Sequence, residues 1–225
     1  MKIIKSALRT AAVALFPTRC PYCNKVIHNY EPACPECRRH FPEFSYKSYA
    51  IGGYSCAAPF PYTGNYAKAV RRLKFHNHGD LAKPLAAQIV LAVLEIYHDC
   101  RFDLITCVPM HKKDLRTRGY NQAELLAREC AELMSLPYVN TLEKIKRNQP
   151  QHQTSGKERF KNVRGVFRLT DQVSLRGKRV LLIDDIITTG NTLGECARIL
   201  SKEKCAEINC AVVCVVIENR FIAPE

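Results

Sequence analysis

The sequence predicts an α/β protein: a mostly parallel sheet with helices on both faces, preceded by a small module of a different kind. Three observations carry this. Short apolar runs alternate with stretches of helical period from about residue 64 to 220. One run, Val180 to Ile183, leads into Asp184 and Asp185 and then a loop of hydroxyls around a glycine, as where a ligand meets a strand end. Two Cys-x-x-Cys pairs crowd near the N-terminus, apart from the alternating pattern.

The chain has 225 residues, 47% of them hydrophobic, so it can bury a core and is not disordered as a whole. Its 34 Lys and Arg against 21 Asp and Glu leave a net charge of +13, which suits an anionic partner: nucleic acid, a phosphorylated small molecule or an anionic membrane surface. The 12 cysteines do not read as a disulfide scaffold. Cys100, Cys107, Cys130, Cys205, Cys210 and Cys214 sit singly in apolar surroundings, where a free thiol acts as a small core hydrophobe. That usage fits a reducing, cytoplasmic compartment.

Residues 1–16 place Ile3, Ala7, Leu8, Ala11 and Leu15 at helical spacing with Lys2, Lys5 and Arg9 elsewhere, so an amphipathic basic helix is expected. The segment lacks a small-residue cleavage site, and no apolar run is long enough to span a bilayer. In residues 17–45, Cys20 and Cys23 are followed ten residues later by Cys34 and Cys37. Two pairs this close can set four thiolates around one zinc; a redox pair and a degenerate site are the alternatives. His40 reads as a bystander. The span cannot build a core alone, so metal binding would supply its folding energy.

Residues 46–63 read as a linker and an edge strand. Residues 64–225 form the main domain. It opens on a helix with Lys68, Arg71, Arg72 and Lys74 on a basic face, and a second helix runs to about His98. Asp103 to Val108 is a strand stopped by Pro109, followed by a basic loop and a helix through Met134. Strands are expected at Leu142–Lys146, Gly165–Leu169, Arg179–Ile183 and Ile208–Ile217, with a helix from about Leu193 to Lys202. Residues 147–164 are polar and basic, as in a lid or a disordered segment.

The chemistry concentrates at Val180 to Thr192. Thr192 and Glu195 have capping-box spacing, which marks a helix start. A helix N-terminus behind a glycine-containing loop favours a phosphate. The two acids cannot hold that phosphate, but they can accept hydrogen bonds from sugar hydroxyls or hold a hydrated Mg²⁺. A sugar phosphate satisfies both halves. The competing ATPase reading needs a Walker A partner, and none is present: Ser155-Gly156-Lys157 is followed by Glu158, and Gly177-Lys178 by Arg179.

The stretch V-L-L-I-D-D-I-I-T-T-G-N-T resembles the phosphoribosyl pyrophosphate (PRPP) motif of type I phosphoribosyltransferases. With the cysteine pairs, Y-T-G-N-Y-A-K-A-V-R-R-L-K-F, V-P-M-H-K-K-D-L-R-T-R-G-Y-N-Q and E-R-F-K-N-V-R-G-V-F, the chain resembles the ComF family of competence and DNA-uptake proteins over nearly its whole length. The resemblance implies that Asp184 and Asp185 hold the ribose hydroxyls of PRPP. It implies that Thr188, Thr189, Gly190, Asn191 and Thr192 cradle the 5′-phosphate, with Mg²⁺ accompanying the ligand. It puts pyrophosphate near Pro109, Lys112 and Lys113, with Arg116, Arg118, Asn121 and Gln122 on the same side and Lys74 within reach. It makes residues 147–164 a flexible loop whose Lys157, Arg159 and Lys161 meet the pyrophosphate on closure.

One departure stands out. Hypoxanthine-guanine type transferases carry an acid where this loop has Thr188, so no reader of an acceptor base is recognisable. Two functions therefore stay open: a phosphoribosyltransferase that releases pyrophosphate from PRPP, and a non-catalytic protein that senses nucleotides or binds single-stranded DNA with the same phosphate sites. The resemblance also implies a role in natural transformation beside a helicase-like ATPase.

Overall fold

The computed structural model describes residues 17–28, 30–41, 47–75, 78–147, 163–170 and 174–216. The helix expected over residues 1–16 and the lid cations Lys157, Arg159 and Lys161 lie outside them. In chain order the elements begin with α1 (Pro35–Arg38), β1 (Lys47–Ile51), β2 (Tyr54–Ala58), β3 (Phe60–Pro61), α2 (Gly64–Phe75), α3 (Ala82–Ile96) and β4 (Leu104–Cys107). There follow α4 (Lys112–Arg118), α5 (Gln122–Met134), β5 (Leu142–Lys144), β6 (Phe167–Leu169), β7 (Arg179–Ile183), β8 (Ile186–Ile187), α6 (Asn191–Ser201), β9 (Glu207–Ala211) and β10 (Cys214–Val215). Among the described residues no helix is long and apolar enough to cross a membrane.

The main sheet has five strands in the order β1-β2-β9-β7-β4. Every pairing from β2 to β4 is parallel; only the edge strand β1 is antiparallel, folded back on β2 through Gly52 and Gly53 at φ 56° and 89°. Side chains of β7 alternate between two cores. Leu181 and Ile183 join the cluster built with α2, α3 and α5, whereas Val180 and Leu182 join the cluster built with α6. Helices thus cover both faces, and the central strands are buried on both sides as a parallel sheet requires.

Several elements differ from the sequence expectation. The basic loop after β4 is helical from Lys112 to Arg118, because Gly119 at φ 87° supplies a left-handed C-cap whose N–H reaches Leu115 O. The apolar run Ile208–Ile217 is not one strand; it breaks at Val212 and Val213 between β9 and β10. β5 and β6 stay out of the five-stranded sheet. They pair antiparallel with each other, and Ile145 N–H donates to Val166 O at 2.8 Å just beyond the paired residues. A bridge from Tyr138 to Ile105 moors the start of this ribbon beside β4.

The break in β9 has a purpose visible across the sheet. β2 pauses for one residue and β9 and β7 for two each, and they resume as β3, β10 and β8, in the parallel order β3-β10-β8. In β7 the paused residues are Asp184 and Asp185. Their backbones remain tied to the neighbour: Asp184 N–H donates to Ala211 O at 3.1 Å, and Val213 N–H donates to Asp185 O at 3.2 Å. The two acids therefore stand at a fold in the sheet, held from behind by a rigid ladder.

Candidate functional site

The acid pair is the centre of the site. Asp185 is buried at 8% exposure, and Asp184 is half-buried. Asp185 N–H donates to Asp184 Oδ1 at 2.9 Å. Burial raises both carboxyls above their ordinary range, and for Asp184 the charge of Asp185 pushes further in the same direction. The charge of Lys74 opposes the rise on both acids, and that of Arg118 opposes it on Asp185.

The loop after β8 enters α6 directly. Its N-cap is Gly190 at φ 73°, with no side-chain cap, and Gly194 N–H donates to Gly190 O at 2.8 Å. The capping box expected at Thr192 and Glu195 is not formed. Thr192 lies inside the helix, and Glu195 is taken by Arg198, whose Nε and Nη2 both donate to it at 2.7 Å. The first amides of α6 have no intrahelical partners, and among the described residues no side chain caps them. Thr188 and the neighbouring half-buried Thr189, Asn191 and Thr192 surround this N-terminus, a setting that favours an anion.

The second wall comes from the segment after β4. His111 caps α4 by accepting from Lys113 N–H at 3.2 Å. Pro109, Lys112 and Asn121 line a cavity of about 240 Å³ together with Tyr138, Glu143 and Lys144. Lys113 and Arg116 are exposed on α4. Asn121 and Gln122 are buried, and their amides position the backbone. Asn121 Nδ2 donates to Val108 O at 3.0 Å and its Oδ1 caps α5. Gln122 accepts from Arg118 Nη1 at 3.1 Å and donates to Lys74 O at 3.2 Å, which ties the Arg118 side chain to the backbone of Lys74.

Lys144 was not expected here. It lies on β5 with its Nζ 5.6 Å from the centroid of the Phe167 ring. Burial lowers its pKa, while the charges of Asp114 and Asp184 work against that fall, and it lines the same cavity as Pro109 and Lys112. A sequence signal existed: Leu142 is fully buried, and residues two apart on a strand share a face.

At the other end of the chain, Cys20, Cys23, Cys34 and Cys37 bring their sulfurs within 4.8 Å of one another. Cys23 Sγ and Cys34 Sγ are 3.5 Å apart. A tetrahedral zinc–thiolate site, with Zn–S near 2.3 Å, places its sulfurs about 3.8 Å apart, so the cluster fits such a metal. In the first knuckle Asn24 adopts φ 67° and its N–H donates to Cys20 O at 3.0 Å. In the second, Cys34 caps α1 by accepting from Cys37 N–H at 3.5 Å. Burial pushes the Cys34 thiol up, but this N–H and the neighbouring thiols more than offset it and leave it at about 7. His40 is exposed and outside the cluster.

Residues 117–221 match the phosphoribosyl transferase domain family. The chain is 30% identical to Competence protein F of Haemophilus influenzae, over 84% of this chain and 81% of that protein. It is 25% identical to the DNA utilization protein YhgH of Escherichia coli K12, over 88% of this chain and 84% of that one. It is 29% identical to Competence protein ComFC of Bacillus subtilis, over 67% of this chain and 60% of that one. An α/β core with a largely parallel sheet, a four-cysteine module and a relative this similar along most of both chains lead to one conclusion: the chain belongs to the competence protein F family.

Proposed function

We propose that this protein binds PRPP at the carboxyl end of β7 and acts in the uptake or use of DNA. One observation carries the binding claim. The half-buried Asp184 and buried Asp185 at a fold in the sheet are followed at once by a hydroxyl-lined loop into a helix N-terminus with no side-chain cap, and Gln122 bonds both Arg118 and the Lys74 carbonyl. In this reading Asp184 and Asp185 accept the ribose hydroxyls and Thr188 to Thr192 surround the 5′-phosphate. Pro109, Lys112, Lys113, Arg118 and Lys74 form the pyrophosphate side, with Asn121 and Gln122 bracing it. Mg²⁺ fits beside the carboxylates, where it would neutralise pyrophosphate charge. The four cysteines hold a structural zinc.

If transfer occurs, the bond from the ribose C1 to pyrophosphate breaks and pyrophosphate leaves with the electron pair. A nucleophile then adds at C1. The cations around the acid pair would stabilise the departing charge. The names of the relatives support the DNA role: Competence protein F and the DNA utilization protein YhgH.

A second reading, single-stranded DNA binding, is favoured by one feature. A cavity of about 270 Å³ between the cysteine module and α2 is lined by Tyr22, His40, Phe41, Asn65 and Tyr66. Arg38, Arg39, Lys68 and Arg71 are exposed on the same two elements. Rings beside cations suit stacked bases and a phosphate chain.

Calorimetric titration of the zinc-loaded protein with PRPP and Mg²⁺, repeated with single-stranded DNA, tests both. Saturable PRPP binding is expected. Its absence beside tight DNA binding that weakens steeply with salt would replace the first reading with the second.

A further inference from the structure

The cysteine module is bonded to the helix that delivers Lys74. Arg72 lies on α2, two residues before Lys74. Its Nη1 donates to Pro21 O and its Nη2 to Asn24 Oδ1, both at 2.8 Å. Pro21 follows Cys20 and Asn24 follows Cys23, so the guanidinium fork grips the first metal knuckle on both sides. The shape that presents these two acceptors is the ligand loop itself: Asn24 N–H bonds Cys20 O, and Cys20 N–H bonds Lys25 O at 2.8 Å.

The same knuckle is also anchored by Tyr22, whose OH donates to Gln88 Oε1 at 2.6 Å and whose ring packs edge-on against Phe41, Phe60 and Tyr66. Within the module itself, little holds the ligand loop. Its own buried cluster is Cys20, Ile27, Ala33 and Cys34, two of which are candidate ligands. Without metal, so small a core does not fix a knuckle. On its far side the last turn of α2 is tied to the site. Tyr120 OH donates to Leu73 O, and Gln122 Nε2 donates to Lys74 O while its Oε1 accepts from Arg118. The turn is therefore clamped between the metal module on one side and Tyr120 and Gln122, the latter bonded to Arg118, on the other.

We infer that Arg72 is a positioning residue through which metal loading of the four-cysteine module sets the place of Lys74, and so tunes the affinity of the sugar-phosphate site for its anionic ligand. Arg72 acts through the helix and not on that ligand, since its two guanidinium nitrogens are taken by Pro21 O and Asn24 Oδ1. The functional arm rests on the PRPP reading; the mechanical arm does not. Arg72 transmits because its planar fork reaches two acceptors from a rigid helix, whereas a lysine in its place has a compact ammonium on a flexible stem that holds the pair less firmly.

The test uses full-length protein as R72M, R72K, K74M and the R72M/K74M double variant, with zinc content measured throughout. In R72M the expected result is stoichiometric zinc and faster amide exchange, by about tenfold, in the turn Arg71–Lys74. Chelated wild type should show the same local change. PRPP affinity should fall about tenfold in R72M, less in R72K, and the double variant should bind no more weakly than the worse single one. Unchanged exchange in zinc-loaded R72M overturns the coupling. Losses that simply add in the double variant also overturn it, since independent residues behave that way. A wild type that ignores PRPP would remove the ligand reading, while the exchange measurement would still decide whether metal and Lys74 are linked.

Discussion

Asp185 N–H donates to Asp184 Oδ1 at 2.9 Å, so the first acid of the pair is partly turned onto its own backbone while the second is buried behind it. Two carboxyls so placed repel each other and lack solvent, which is costly until a ligand arrives. Replacing both, Asp184→Asn with Asp185→Asn, should weaken PRPP binding by about 2–5 kcal/mol, a loss of roughly thirtyfold or more. The same change should raise the melting temperature of the unliganded protein at neutral pH. PRPP affinity that survives the double change would mean the acids are not the ribose site.

The pH dependence follows from the same pair. Both carboxyls are raised above the ordinary aspartate value of 3.8. A raised acid contributes stability that is fully present below its unfolded value and is lost as pH rises through its folded one. The stability of wild type minus that of the double asparagine variant should therefore decline as pH climbs from below 3.8 toward neutrality. Subtracting the variant removes groups such as Glu195, which Arg198 holds below its usual range and which acts with the opposite sign. Urea titrations across that range give the difference directly. A difference that grows with pH would reverse the assignment.

Gly190 takes φ 73° at the entrance to α6. A side chain there strains the left-handed backbone, so Gly190→Ala should cost about 1–2 kcal/mol. That corresponds to a melting shift of roughly 2–8 °C for a chain of this size. Because the loop amides would move with the strain, phosphate-dependent affinity should fall more than the fold does. A variant as stable and as tight as wild type would show that the loop does not need this conformation.

Cys34 caps α1 and lies 3.5 Å from Cys23 Sγ across the two knuckles. Cys34→Ser should therefore abolish stoichiometric zinc and loosen the module, with faster exchange from Cys20 to Arg39. The main sheet should stay folded, since its two clusters are built elsewhere. One tightly held zinc per chain in that variant would remove Cys34 from the ligand set.

Local rules settled the parts of this protein that are written in neighbouring residues. The apolar runs at Leu104 and Val180 had to be buried strands, and the cysteine spacing had to make two knuckles. The order of acids, hydroxyls and glycine marked the proposed anion site because each group's chemistry is legible without a partner. Distant partners decided the rest. The capping box failed because Arg198 claims Glu195, and the last apolar run broke because β2, β9 and β7 pause together at the level of the acids. Lys144 entered the site because β5 leaves the parallel sheet to pair with β6. Arg72 reads in the sequence as one more basic residue on a helix, and only packing against the cysteine module gives its guanidinium two acceptors. Spacing along a chain fixes what a residue can do, whereas the free energy of burying one surface against another fixes which partner it meets.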